Sequence, residues 1–217
     1  MIFTNTSLST PSDVRSDLSM LWPNAADHPS FFTRLFQLYP SSLFSGSYFS
    51  DPIQANYTAL AATVSSKASL ADNTAFYQTQ TIFADAFIDC PTYWIASAFA
   101  DAGLPVWKLR FAAGLEIHSA TSSFLLYPNA IQTTQDGVMY AAYMKDYFKN
   151  FIVSEDPNAG GSVAGKPVWP EWYTGDGVQG GSFQVLEFNQ TNVGVNDDAD
   201  VSARCDFLHG QSYVIRN

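Results

Sequence analysis

Histidine is the side chain best suited to moving protons near neutrality, and this chain holds three of them: His28, His118 and His209. His28 precedes Pro29 at an expected helix start, where it reads as a solvated capping residue. His209 falls in an expected last helical turn before Gly210, where a cation suits the helix dipole. His118 stands apart. It lies in a loop that begins at Gly114, just after a stretch of alternating apolar and polar residues, and small polar residues follow it. Loops at the C-terminal ends of strands are where α/β proteins keep catalytic groups. Position alone leaves both a catalytic and a solvated His118 open.

The partners that acyl transfer would need are harder to find. Gly160-Gly161-Ser162-Val163-Ala164 loosely imitates a nucleophile elbow. A true elbow is a strained strand-to-helix turn that exposes the hydroxyl, whereas here the flanks are an expected helix end and Pro167. Ser162 is therefore set aside, and no Gly-x-Ser-x-Gly occurs anywhere in the chain. The same glycines follow a helix instead of opening one, so they make no phosphate loop. Three scattered histidines and two distant cysteines give no zinc-ligand spacing, and no metal site is expected.

The elements that would position His118 can be read from punctuation and period. Thr10-Pro11 opens a helix that places Val14, Leu18, Leu21 and Trp22 at helical spacing and stops at Pro23. A second short helix carries Phe31, Phe32, Leu35 and Phe36. A third runs from about Asn73 to Ile88, and a fourth from Pro91 to Asp101 with Gly103 as its stop. Then the period changes: Pro105 to Phe111 alternates at period two, which predicts a strand with Trp107, Leu109 and Phe111 on one face. Asp136 to Ile152 is a long helix with Tyr140, Met144, Tyr147, Phe148 and Phe151 on one side. A strand is expected at Phe183 to Phe188, and a last helix carries Val201, Cys205 and Leu208 up to Gly210. Helices around few strands suggest the edge of an α/β sheet, with no repeat and no interdomain linker.

Composition narrows the partners. At 217 residues, 47% hydrophobic, 15% aromatic and 14% charged, the chain can fill one large domain or most of one. A formal net charge of −10 argues against nucleic acid and against an anionic membrane surface. No window approaches the length of apolar sequence a transmembrane segment needs. Met1-Ile2-Phe3-Thr4-Asn5 lacks the basic and apolar regions of a signal peptide, yet Asn5, Asn56 and Asn189 each open a glycosylation sequon. Cys90 and Cys205 make one disulfide possible. A secreted, extracellular protein whose leader lies upstream accommodates all of these features.

Several separated motifs now agree. Phe87-Ile88-Asp89-Cys90-Pro91, then Val106 to Phe111, then Gly114-Leu115-Glu116-Ile117-His118 with Phe124 six residues on, resembles the type-B carboxylesterase/lipase family, the cholinesterase-like α/β-hydrolases. Met144 to Phe151 with Asp156-Pro157-Asn158 is similar to that family's long late helix and its exit. Trp169-Pro170, Phe183 to Phe188 and Arg204-Cys205-Asp206-Phe207 resemble its closing motifs. Ile2-Phe3-Thr4-Asn5 looks like the residues that follow the catalytic acid, most closely in extracellular fungal-type members. No single motif is specific; their order and spacing over nearly the whole chain is.

The resemblance implies that residues 1–217 are the C-terminal portion of a single α/β-hydrolase domain, mainly helices with a few strands from the edge of the central sheet. It implies a Ser-Glu/Asp-His triad in which His118 is the catalytic base, acting on an ester or lipid substrate with no cofactor. It also implies that Cys90 pairs with Cys205. Nucleophile, oxyanion donors and acid are then expected upstream, in the N-terminal portion of the same fold, so the chain alone should be inactive. Glu116 is too close to His118 in sequence to reach its ring easily, and Asp101 sits at an expected helix end, so neither replaces the acid. Thr121 stands where the family often carries an acidic residue, which leaves the local hydrogen bonding of that loop open. The competing expectation is a non-catalytic binding or adhesion module of the same cholinesterase-like fold.

Overall fold

The computed structural model describes residues 10–44, 74–113, 121–126, 135–160, 163–174, 181–189 and 191–215. They are a mixture of helix and strand with one small mixed sheet. The chain groups into two compact units, Met1–Ile95 with Ala199–Asn217, and Ala96–Asp198. Among the described residues, no helix is long and apolar enough to cross a membrane.

The first unit is helical. Helix α1 (Pro11–Leu21) begins as its sequence dictates: the Thr10 hydroxyl accepts from the Asp13 amide at 3.2 Å, and the Asp13 carboxylate accepts from the Thr10 amide at 2.8 Å. This reciprocal box satisfies two amides that a helix start leaves without partners. The helix buries Val14 and Leu18, and Trp22 closes it. After a tight turn at Pro23–Asp27, α2 (Pro29–Leu38) buries Phe31, Phe32 and Leu35. Phe31 meets Trp22 edge-on at 5.7 Å and stacks on Phe207 at 5.6 Å. Aromatic pairs in these geometries contribute about 0.5–1.5 kcal/mol beyond their burial. Helix α3 (Thr74–Ala84) is buried on nearly every side, including Gln78, Thr79 and Gln80.

The expected break between two helices near Ile88 is absent. Helix α3 runs through a wide π turn (Asp85–Asp89) straight into α4 (Cys90–Asp101). Pro91 has no amide to donate, and its ring would crowd the carbonyl one turn back. A wide turn placed just before it gives the ring room, so the helix continues past the proline. Helix α4 ends as expected at Gly103, whose φ of +73° suits glycine. The Gly103 amide reaches the Ala100 carbonyl at 2.9 Å, and the Leu104 amide reaches Phe99 at 3.0 Å. These two bonds occupy carbonyls that would otherwise be orphaned at the helix end. At the C-terminal end, α7 (Ala203–Gly210) starts at a Ser202 cap, one residue past Val201, and it includes Gly210 instead of stopping before it.

The second unit is built around β3 (Ser182–Phe188). It pairs in parallel with β1 (Leu109–Phe111), and antiparallel with β2 (Tyr173–Thr174) and β4 (Val193–Asp197). Strand β1 is shorter than the expected Val106 to Phe111. The Val106 and Lys108 carbonyls nonetheless take amide bonds from Trp172 and Leu186, at 2.7 and 3.1 Å. Between β1 and β3 lie a single turn of helix, α5 (Ser122–Leu125), and the long helix α6 (Gln135–Ser154). The core face of α6 is Tyr140, Tyr143, Met144 and Tyr147, packed against Trp169, Leu186 and Phe188, and Ala141 is buried as well. Phe148 and Phe151, expected on that face, lie at its margin, 39% and 48% exposed. Phe148, one position past Tyr147, is turned away from the buried stripe. Phe151, a full turn past Tyr147, stays on its side but lies beyond the buried core, where its ring meets Trp107 at 5.8 Å.

Candidate functional site

His118, the candidate base, lies outside the described residues, as do Glu116, Ser162, Asn5 and Asn56. What the structure gives is the framework on either side of residues 114–120. Strand β1 leads in, and the Ala112 amide continues the ladder to the Phe188 carbonyl at 2.7 Å. Ala113 is buried in the core of the unit. Thr121 leads out, at the start of α5, with no side-chain cap bond. Phe111 on the entering strand meets Phe124 on the departing helix at 5.2 Å, with the rings 60° apart. The two ends of the His118 segment are therefore held together by an aromatic contact.

The motifs expected to follow the histidine meet one another in space. The Asn158 side chain donates to the Trp169 carbonyl and accepts from the Trp169 amide, both at 2.8 Å. The Trp169 indole donates to the Lys108 carbonyl at 3.0 Å, beside β1. Its ring meets Tyr147 edge-on at 5.3 Å. Tyr147 donates its hydroxyl to the Pro167 carbonyl. Burial, with the neighbouring Tyr143 and Asp146, pushes that hydroxyl well above the ordinary phenol range. It stays a neutral donor at any ordinary pH. Asn158 and Trp169 thus tie the end of α6 to the approach to β1.

Two buried ion pairs hold the same unit. Lys108 Nζ lies 2.7 Å from Asp198 Oδ2, and the Trp172 indole donates to the same oxygen at 2.7 Å. Lys166 Nζ lies 2.5 Å from Asp146 Oδ2 and 4.2 Å from the centre of the Tyr147 ring. Sequence reading missed both pairs. The available signal was Lys108, a charge in the middle of an alternating strand with apolar neighbours on either side.

In the first unit, Cys90 and Cys205 form a disulfide, with Cα atoms 5.0 Å apart. The disulfide brings flanking charges together. Asp85 accepts from the Tyr39 hydroxyl at 2.6 Å and faces the Arg204 guanidinium at 3.5 Å, while Arg204 also lies over the Tyr39 ring at 5.2 Å. Burial pushes the Asp85 carboxyl up; Arg204 and the Tyr39 bond pull it down, and Asp200 adds to the rise. Tyr39 is raised by its own burial and by the Asp85 charge. Arg204 sits beside Cys205 in the sequence, and Asp85 lies five residues before Cys90. Charges near two paired cysteines were the signal for this cluster.

The other candidates can be placed. His28 occupies the cap position of α2, but its side chain makes no cap bond; its ring meets Tyr213 edge-on at 5.9 Å. His209 stacks on Trp94 at 4.9 Å in the last turn of α7. Asp101 is exposed at the end of α4. Asn189 lies in the turn between β3 and β4. Among the described residues, no group of histidine, cysteine and carboxylate side chains could hold a metal ion. No protein-family model matches the chain, and no curated protein matches it.

Proposed function

We propose that this chain is the C-terminal portion of a secreted serine ester hydrolase of the cholinesterase-like α/β-hydrolase kind, contributing His118 as the catalytic base. One observation carries the reading. Strand β1 runs parallel to β3 through a connection that contains residues 114–120 and the 20-residue helix α6. Parallel neighbours need a crossover of about a dozen residues or more, usually helical, and this is the α/β arrangement. In such sheets reactive groups gather beyond the C-terminal ends of the strands. The His118 segment leaves β1 at that end.

In this reading a serine and a carboxylate come from chain outside these 217 residues. His118 takes the serine proton as the hydroxyl attacks the ester carbonyl, and returns it to the departing alkoxide. It then takes a proton from the water that attacks the acyl-serine and returns it to the serine oxygen as the acid leaves. The Phe111–Phe124 contact joins the elements on either side of its segment, and the Asn158–Trp169 bonds brace the approach to β1.

The test compares the chain alone with the chain joined to its upstream coding sequence, using a short-chain aryl ester. The joined protein should turn over and react with a serine-directed phosphonate. His118→Ala should lower its turnover by roughly 10²–10⁴-fold without changing its melting temperature. The chain alone should show no turnover. Unimpaired turnover by His118→Ala in the joined protein overturns the proposal.

A further inference from the structure

The turn between β3 and β4 does more than reverse the chain. The Asn189 amide donates to the Asn192 carbonyl at 3.0 Å and closes the hairpin. Asn189 Oδ1 accepts three bonds: from the Thr191 amide at 2.9 Å, the Thr191 hydroxyl at 3.1 Å and the Asn192 amide at 2.9 Å. All three donors engage the oxygen. Nδ2, on the opposite side of the side-chain amide, has one long contact among the described residues, 3.4 Å to Glu187 Oε1. The turn therefore fixes the side chain through one atom and holds the Thr191 hydroxyl against it. These are the asparagine and the hydroxyl of an Asn-x-Thr acceptor sequence.

The surroundings leave room for a large group. Thr191 and Asn192 are exposed, as are Val195, Asn196 and Asp197 on β4. Among the described residues β4 pairs with β3 alone, so it forms an edge. A bulky solvated group at the tip of an edge hairpin would hinder pairing with another chain, the hazard that such edges carry. The Cys90–Cys205 disulfide independently points to an oxidising compartment, where glycan transfer also takes place.

We infer that Asn189 is N-glycosylated and that the folded hairpin presents the glycan to solvent. Nδ2 bonds to the anomeric carbon of a lipid-pyrophosphate-linked oligosaccharide. The bond from that carbon to the pyrophosphate oxygen breaks, the lipid pyrophosphate leaves, and the amide gives up one proton. The inference is independent of the ester chemistry proposed above.

The chain is expressed behind a secretion leader in a glycosylating eukaryotic host. Peptides are then analysed by mass after endoglycosidase treatment in heavy-oxygen water. Labelled aspartate at position 189 is expected, retained in Thr191→Ser and lost in Thr191→Ala. Release should proceed without denaturant, because Asn189 is only partly buried and Thr191 and Asn192 beside it are exposed. If little protein is secreted, the retained lumenal pool is digested in the same way, since transfer precedes export. Recovery of the peptide wholly unmodified overturns the assignment. Release that requires denaturant overturns presentation on the folded hairpin.

Discussion

The helical unit and the sheet unit hold themselves together by different means. The helical unit joins two stretches of chain that lie far apart in sequence, and it does so covalently, through Cys90–Cys205 across a separation of 115 residues. Among its described residues the buried, ion-paired carboxylate Asp85 takes a 2.6 Å bond from the Tyr39 hydroxyl, but its cation, the partly exposed Arg204, stands off at 3.5 Å. The sheet unit is one continuous stretch and has no disulfide. Its buried carboxylates, Asp198 and Asp146, each meet a buried lysine at 2.7 and 2.5 Å. The difference tracks connectivity. A unit assembled from two distant segments gains most from closing the unfolded chain, whereas a continuous one relies on specific internal pairing.

The largest effect should come from the disulfide. Replacing both cysteines by alanine removes a closure worth roughly 4–5 kcal/mol in the chain-entropy account. The comparison predicts that this loss falls on the helical unit. Hydrogen exchange should show amides of α1, α2 and α7 losing protection well before those of β3. Equal loss in both units would break the distinction. Next comes Lys108→Met, which takes the buried cation away from Asp198 and should cost about 3–5 kcal/mol by urea unfolding. Adding Asp198→Asn should recover much of that loss, because the Trp172 indole keeps an oxygen acceptor. A single variant that costs nothing would show that the pair does not hold the sheet. Asn158→Ala is the third, at about 1–3 kcal/mol, because it leaves the Trp169 amide and carbonyl without their partner. Its melting temperature should fall while far-ultraviolet circular dichroism stays unchanged.

The sequence was most legible where one residue type has one physical use. Thr10-Pro11 and Gly103 marked helix ends because capping and positive φ admit few residues. The change from helical to alternating period marked the approach to β1 for the same reason. Elements whose residues carry no such signal went unseen. Strand β4, Val193-Gly194-Val195-Asn196-Asp197, is largely exposed and holds residues that strands disfavour; its pairing with β3 is tertiary. The continuous passage from α3 to α4 hid behind Pro91, because the wide turn that tolerates a proline has no sequence signature. The Cys90–Cys205 pairing was legible only through the resemblance to the cholinesterase-like pattern, and so, separately, were the motifs that hold Asn158 and Trp169. The pairing of Lys108 with Asp198 joins residues 90 apart and could not be read from either one.

The smallest predicted effect is the sharpest test of the comparison, because it turns on a sign. The Asp85 carboxyl is raised above its ordinary value of 3.8 chiefly by burial, and Asp200 adds to the rise; Arg204 and the Tyr39 hydroxyl only partly offset this. The folded chain therefore keeps the Asp85 proton to a higher pH than the unfolded chain does. Between 3.8 and the raised value the native state binds more protons, so this group's contribution to stability falls as pH rises through that window. It is fully favourable only below 3.8. Asp85→Asn removes the titration while its side-chain oxygen can still accept from the Tyr39 hydroxyl. Melting temperatures of the two proteins, measured from strongly acidic to neutral pH, should converge at the acid end. They should separate as pH rises, with the variant the more stable relative to its own acid value. Parallel curves would mean that Tyr39 and Arg204 fully offset the burial of Asp85, and the contrast between the two units would then rest on the disulfide alone.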